Sequence, residues 1–175
     1  MQLDKEKFKA LFLYICWKAD ASTLGSTKLN KILWLADFKH YYRTGKPLTG
    51  ARYLKRKFGP VPAPVVSVRR ELEKDGSLIV KPTSFHGYEK HDYFALGAPD
   101  MERFSKEEMA VIDAAMEFVC YQNTARSISE LSHDKVWRAA DDGEEIPYYT
   151  IFSVPGKITE DDRAWAQFEL EGMAS

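Results

Sequence analysis

Apolar positions recur with helical spacing along most of this chain. Phe8, Leu11, Phe12 and Ile15 fall at i, i+3, i+4 and i+7, which predicts a first helix from near Asp4 to Lys18 with one buried stripe. The stretch Ala21 to Gly25 reads as a loop, with Ser26 or Thr27 capping the next helix. That second helix, about 26–43, differs from the first. Its run Ile32 to Ala36 places apolar groups on every face, because a helix turns about 100° per residue. Such a segment has to be enclosed by other elements. Asp37 closes the run, and a carboxylate there is costly to bury unless it is paired. Thr44-Gly45-Lys46-Pro47 ends the helix.

Beyond it, residues 51–57 read as a short strand or an irregular segment. Gly59-Pro60 reads as a backbone device that redirects the chain into a third helix, entered at Pro62 and Pro64 and striped by Val65, Val68 and Leu72. Two β-prone runs, Ser77 to Lys81 and Asp92 to Leu96, predict a small hairpin over about 77–96. Ser105 to Glu108 is a capping box, with Phe104 and Met109 as its hydrophobic staple and Met109, Ile112, Met116 and Val119 as the buried face behind it. A further helix is expected over Ala125 to Leu131. Residues 132–156 read as a loop rich in aromatics, and Thr159 as the cap of a last helix carrying Trp165 and Phe168. The fold class expected is mainly α: one compact domain over 1–175, a bundle of about five or six helices around a central buried helix, with one hairpin.

Order along the chain adds a resemblance. Lys28-Leu29-x-Lys31-x-x-Trp34-x-Ala36-Asp37, then Gly45-x-Pro47-Leu48-Thr49-Gly50, then Gly59-Pro60-Val61, and finally Ser132-His133-x-x-x-Trp137 together resemble the Panacea domain, the SocA-like family of bacterial and phage-associated antitoxins. The resemblance spans roughly Leu11 to Ile151, and family members more often carry Tyr where this chain has Trp34. It implies a helix-rich domain without enzymatic activity that binds a cognate protein toxin and neutralises it, either directly or by delivering it to a protease. Of the residues that carry it, Lys28, Leu29, Lys31, Trp34, Asp37, Gly59, Pro60, Val61, His133 and Trp137 are expected to serve structure. Asp37 would accept hydrogen bonds and pin the central helix. His133 and Trp137, four apart, would share one face of a helical turn, the histidine hydrogen-bonding and the indole packing.

Charge and composition narrow the alternatives. A chain of 175 residues with a formal charge of -1 does not look like a general nucleic-acid binder. The distribution is uneven, however. Between Phe38 and Arg70 there are nine lysines and arginines and no acid, whereas from Ser129 onward eleven acids face four bases. Arg52, Lys55, Arg56, Lys57, Arg69 and Arg70 are therefore the candidate partner-binding residues, unless the two halves attract each other within the fold. The same basic span, 39–70, followed by a hairpin raises an alternative: a DNA-binding regulator of winged-helix type. Against it, some twenty residues separate Arg43 from Pro64, far more than the turn of about 3–4 residues in a helix-turn-helix.

Other chemistry finds little support. His86 and His91 lie five apart with no cysteine near, and His40 and His133 stand alone, so no metal is expected. No Gly-x-Ser-x-Gly and no phosphate-binding Gly-rich loop occurs, and no cofactor is expected. Cys16 and Cys120 read as free buried thiols. The first residues lack a signal-peptide core and no stretch is long enough to span a bilayer, so a cytoplasmic protein is expected.

Overall fold

The computed structural model describes residues 2–85 and 87–153. Within them the protein is mainly helical, with two small antiparallel strand pairs. Helix α1 spans Lys5–Lys18 and is capped by Asp4, whose carboxylate accepts from the Lys7 amide. It buries Phe8, Leu11, Phe12 and Ile15, the stripe its spacing predicts.

Helix α2 is longer than the pattern suggested. It runs Ala21–Thr44, with Asp20 as its cap, and is broken internally at Gly25, where φ is 55° and ψ 165°. Residues 21–24 are thus a first helical turn, set off from the rest of α2 at Gly25, rather than a loop. The weak helix formers Ser22, Thr23 and Gly25 conceal it, and the Asp20 cap compensates for them. No residue from Ile32 to Phe38 is exposed: Trp34 and Leu35 are half-buried, and the others are buried. Helix α2 makes contact with α1, helix α4 (Lys106–Cys120), helix α5 (Ala125–Leu131), the strands β2 and β4 given below, and a 3₁₀ turn at Tyr148–Ser153.

The largest departure from the sequence reading concerns Gly59-Pro60. Strand β1, Tyr53–Arg56, pairs antiparallel with β2, Gly59–Pro62, in the register Tyr53↔Pro62 to Arg56↔Gly59. The dipeptide begins a strand of a tight hairpin; it does not simply turn the chain into a helix. Pro62, read as entry to the third helix, is instead the last residue of β2, and prolines are admissible on an edge whose N–H side makes no ladder bond. Helix α3, Val65–Lys74, follows with Pro64 at its cap and buries Val68 and Leu72.

The expected hairpin is longer than its two β-prone runs: β3, Leu78–Phe85, pairs with β4, Tyr88–Ala95, from Leu78↔Ala95 to Phe85↔Tyr88. The capping box holds as read, since the Glu108 amide donates to Ser105 Oγ at 3.2 Å and the Ser105 amide to Glu108 Oε2 at 3.0 Å. Residues 132–153 are not all loop. A short helix α6, Lys135–Ala139, and the 3₁₀ turn interrupt them. Both cysteines are free, Cys16 buried as expected and Cys120 only half-buried. The proposed last helix and His86 lie outside the described residues.

Candidate functional site

The side chains singled out in the sequence fall into three groups around α2 and the β1–β2 hairpin. Asp37 heads the first. It is fully buried, with Oδ1 accepting from the Thr49 amide at 2.6 Å and Oδ2 accepting from Thr49 Oγ1 at 2.6 Å and Tyr53 Oη at 2.7 Å. Burial pushes its carboxyl above the ordinary range, and the Thr49 and Tyr53 donors oppose that. Tyr53 is driven well up by burial and by the Asp37 charge. Beneath this network lies an aromatic stack: Phe38 meets Tyr53 edge-on at 5.5 Å and Tyr148 at 4.8 Å, while Tyr148 Oη donates to the Ala51 carbonyl at 2.6 Å. Asp37 therefore ties α2 to the 48–53 segment. Sequence reasoning named the acid but missed Tyr53 and Tyr148 as its surroundings. The only signal was the apolar pair Tyr53-Leu54 set between basic neighbours.

The second group surrounds Gly59. With φ at 101°, this residue occupies backbone space that L side chains rarely enter, and an added Cβ would overlap both Lys31 Nζ and Ser132 Oγ. Lys31 is 1% exposed, and its only hydrogen-bond partner among the described residues is the Pro60 carbonyl, at a long 3.5 Å. Burial alone pulls its pKa down to about 7. The other motif lysine, Lys28, donates to the Cys120 carbonyl at the end of α4, where a cation suits the helix dipole. Leu29 is buried in the core and Val61 is half-buried in β2. Two further motif groups are buried without a hydrogen-bond partner among the described residues, Trp34 Nε1 and His133 Nε2. His133 and Trp137 stack face to face, centroids 3.7 Å apart and planes 13° from parallel. The indole donates to the Arg56 carbonyl at 3.2 Å, so the pair clamps the hairpin; burial and the nearby Lys31 hold the imidazole below its usual pKa.

The third group is the basic span, and the structure splits it. The acidic segment 142–146 runs along the free edge of β1. The amides of Lys55 and Ile146 donate to the Glu144 and Tyr53 carbonyls, and an isolated bridge joins Leu54 to Glu145. Side chains follow the backbone: Arg52 Nε reaches Glu145 at 2.7 Å and Arg56 approaches Asp142 at 3.8 Å. Lys55 Nζ donates to the Ala140 carbonyl and lies 4.4 Å from the Trp137 ring centre. Arg69, on α3, is 3.4 Å from Glu73 but too poorly aligned for a hydrogen bond. Lys57 and Arg70 are exposed and in no ion pair among the described residues. Part of the charge asymmetry is thus balanced within the fold, by Arg52 with Glu145 and Arg56 with Asp142, through an edge pairing that no local pattern announces.

With these motif residues placed, a comparison with family models becomes decisive. The model described as antitoxin SocA-like, Panacea domain, matches residues 29–138, more than half of the chain. The chain belongs to that family. The match covers α2 from Leu29, both hairpins and the helices through α6, and it brackets Asp37, Gly59 and the His133–Trp137 stack. No curated protein and no solved structure matches the chain. Membership supports an antitoxin role for this Panacea domain. Among the described residues no group of three or more His, Cys, Asp or Glu is placed to hold a metal ion, and no helix is long and apolar enough to cross a membrane.

Proposed function

We propose that this Panacea domain is an antitoxin that binds a cognate protein toxin by direct contact and neutralises it, acting in the cytoplasm of a prokaryotic or phage-infected cell and catalysing no reaction. The observation that carries the reading is the family match over residues 29–138. The placement of the motif residues supports it. Lys28, Leu29, Lys31, Asp37, Gly59 and Pro60 are all buried, where they hold α2, the hairpin and the helix ends together. In this reading α2 is the axle of a helical bundle, and the exterior is what acts. A partner would meet the basic side chains that face outward, Lys57 and Arg70 foremost, with Arg52 and Arg56 reached through their exposed ion pairs. Such exposed charges steer encounter more than they set affinity. Delivery of the bound toxin to a protease is a variant of the same contact.

Co-expression tests the proposal. The reading frame adjacent to this gene should arrest growth when expressed alone and be tolerated together with this chain, and the two products should co-purify. A neighbouring frame that is harmless by itself would remove the ground for an antitoxin. The DNA-binding alternative draws on α3 leading directly into the β3–β4 hairpin, but the whole β1–β2 hairpin separates α2 from α3. A gel-shift series at about 50 mM salt, where nonspecific phosphate contacts are strongest, separates the two. Binding there favours the regulator, and its absence favours the antitoxin.

A further inference from the structure

Where the start of α2 faces the turn of the β1–β2 hairpin, the surface opens into a pocket of about 350 Å³. Thr27, Asn30 and Lys31 line it from the helix, and Arg56, Lys57 and Phe58 from the hairpin. Three of these carry positive charge. One carboxylate, Asp142, also borders the pocket, and it approaches Arg56 only to 3.8 Å. The pocket wall therefore holds an excess of positive charge, and hydroxyl and amide groups stand beside it.

Lys31 gives the pocket its chemical meaning. A buried ammonium normally has a carboxylate or several oxygen acceptors around it, because removing it from water is costly. Here it has a single long contact to the Pro60 carbonyl. The neighbouring Ser132 hydroxyl donates to the Ser129 carbonyl at 2.7 Å and so leaves an oxygen lone pair, not a negative charge, near the cation. Gly59 leaves room for the Lys31 ammonium and the Ser132 hydroxyl, both of which an added Cβ would overlap.

We infer that this pocket is a binding site for a small oxyanion, a phosphoryl or carboxylate group, with Lys31 as its buried cation and Arg56 and Lys57 as its outer ones. Such an anion supplies the charge that Lys31 lacks within the fold, and charge-assisted hydrogen bonds to it are the strong kind. Thr27 and Asn30 add neutral donors on the helix side. The half-open form suits a group carried on a small molecule, and the exposed Phe58 ring at the rim offers it an apolar contact. The inference stands apart from the antitoxin reading and survives if that reading fails.

The experiment is an NMR titration of the full chain, in chloride buffer at constant ionic strength, with inorganic phosphate in one arm and acetate in the other. Saturable amide shifts confined to residues 26–31 and 56–61 are expected. Saturation by phosphate alone assigns the phosphoryl group, by acetate alone the carboxylate, and by both a general oxyanion site. Arg56→Ala and Lys31→Met should each weaken binding about tenfold or more, the equivalent of one lost charge-assisted bond. Should Lys31→Met fail to fold, Asn30→Ala combined with Lys57→Ala tests the same walls from the exposed side. Linear shifts without saturation, saturation centred elsewhere, or affinity unchanged in every folded variant overturns the inference.

Discussion

Replacing Lys31 by Met should make the protein more stable, which is not the usual result of altering a buried residue that belongs to a family motif. The Lys31 side chain is 1% exposed, and burial lowers its pKa from 10.5 to about 7 with no opposing charge. A base whose folded pKa lies below its unfolded one binds protons more readily when the chain is unfolded. Protonation therefore penalises the native state, fully below about pH 7 and progressively less toward 10.5, above which the penalty is gone. Since one pKa unit corresponds to about 1.4 kcal/mol, the full penalty is about 5 kcal/mol. Methionine retains the length and most of the volume of the stem without the charge. It forgoes only the long bond to the Pro60 carbonyl, a net loss of about 1 kcal/mol. Urea unfolding in chloride buffer at pH 6 and at pH 10, followed by tryptophan fluorescence, measures the difference. The variant should exceed the parent by several kcal/mol at pH 6, with the gap nearly closed at pH 10. A variant less stable than the parent at both pH values, or a gap that does not change with pH, would refute the reasoning, because the cation would then be satisfied in a way its surroundings do not show.

Asp37→Ala strands the Thr49 amide and hydroxyl in a buried site, whereas Tyr53 Oη keeps the Leu33 carbonyl as acceptor at 2.8 Å, so a loss of about 3 kcal/mol is expected in the same assay. Toxin binding should fall in step with stability; a fully stable variant that no longer binds would make Asp37 a contact residue instead. Gly59→Ala puts a methyl group onto Lys31 and Ser132 at a φ of 101°, and should cost about 2 kcal/mol or more of stability, read from the urea midpoint. Ser105→Ala removes half of a capping box and should lower stability by about 1 kcal/mol, with circular dichroism reporting a fully folded protein at low denaturant.

Several of these sites were legible before any coordinates. The stripe of α1 and the capping box of α4 are local matters, set by residues within one or two helical turns of each other. Local spacing and capping chemistry decide them, so the chain alone announces them. Helix α6, by contrast, lay hidden in a segment read as loop, where the Trp137 indole and not the His133 ring makes the hydrogen bond. Gly59-Pro60 was seen but misread. Whether such a dipeptide turns the chain or starts a strand depends on whether a partner lies opposite, and Arg56 and Lys55 are that partner. The basic span was likewise visible only as charge. Its meaning changed when the acidic segment 142–146, some ninety residues away, was laid against β1.

Taken by itself, the amino-acid order determined that α2 carries an enclosed apolar run ending in an acid, that the fold is mainly helical, and that the motifs are those of a Panacea domain. Only the tertiary structure decided what Asp37 bonds to, which arginines face carboxylates, and that Lys31 is buried with almost nothing to balance it. The physical reason is range. Helix formation and capping are settled among near neighbours in sequence, whereas burial, ion pairing and the cost of an uncompensated charge depend on groups that only folding brings together.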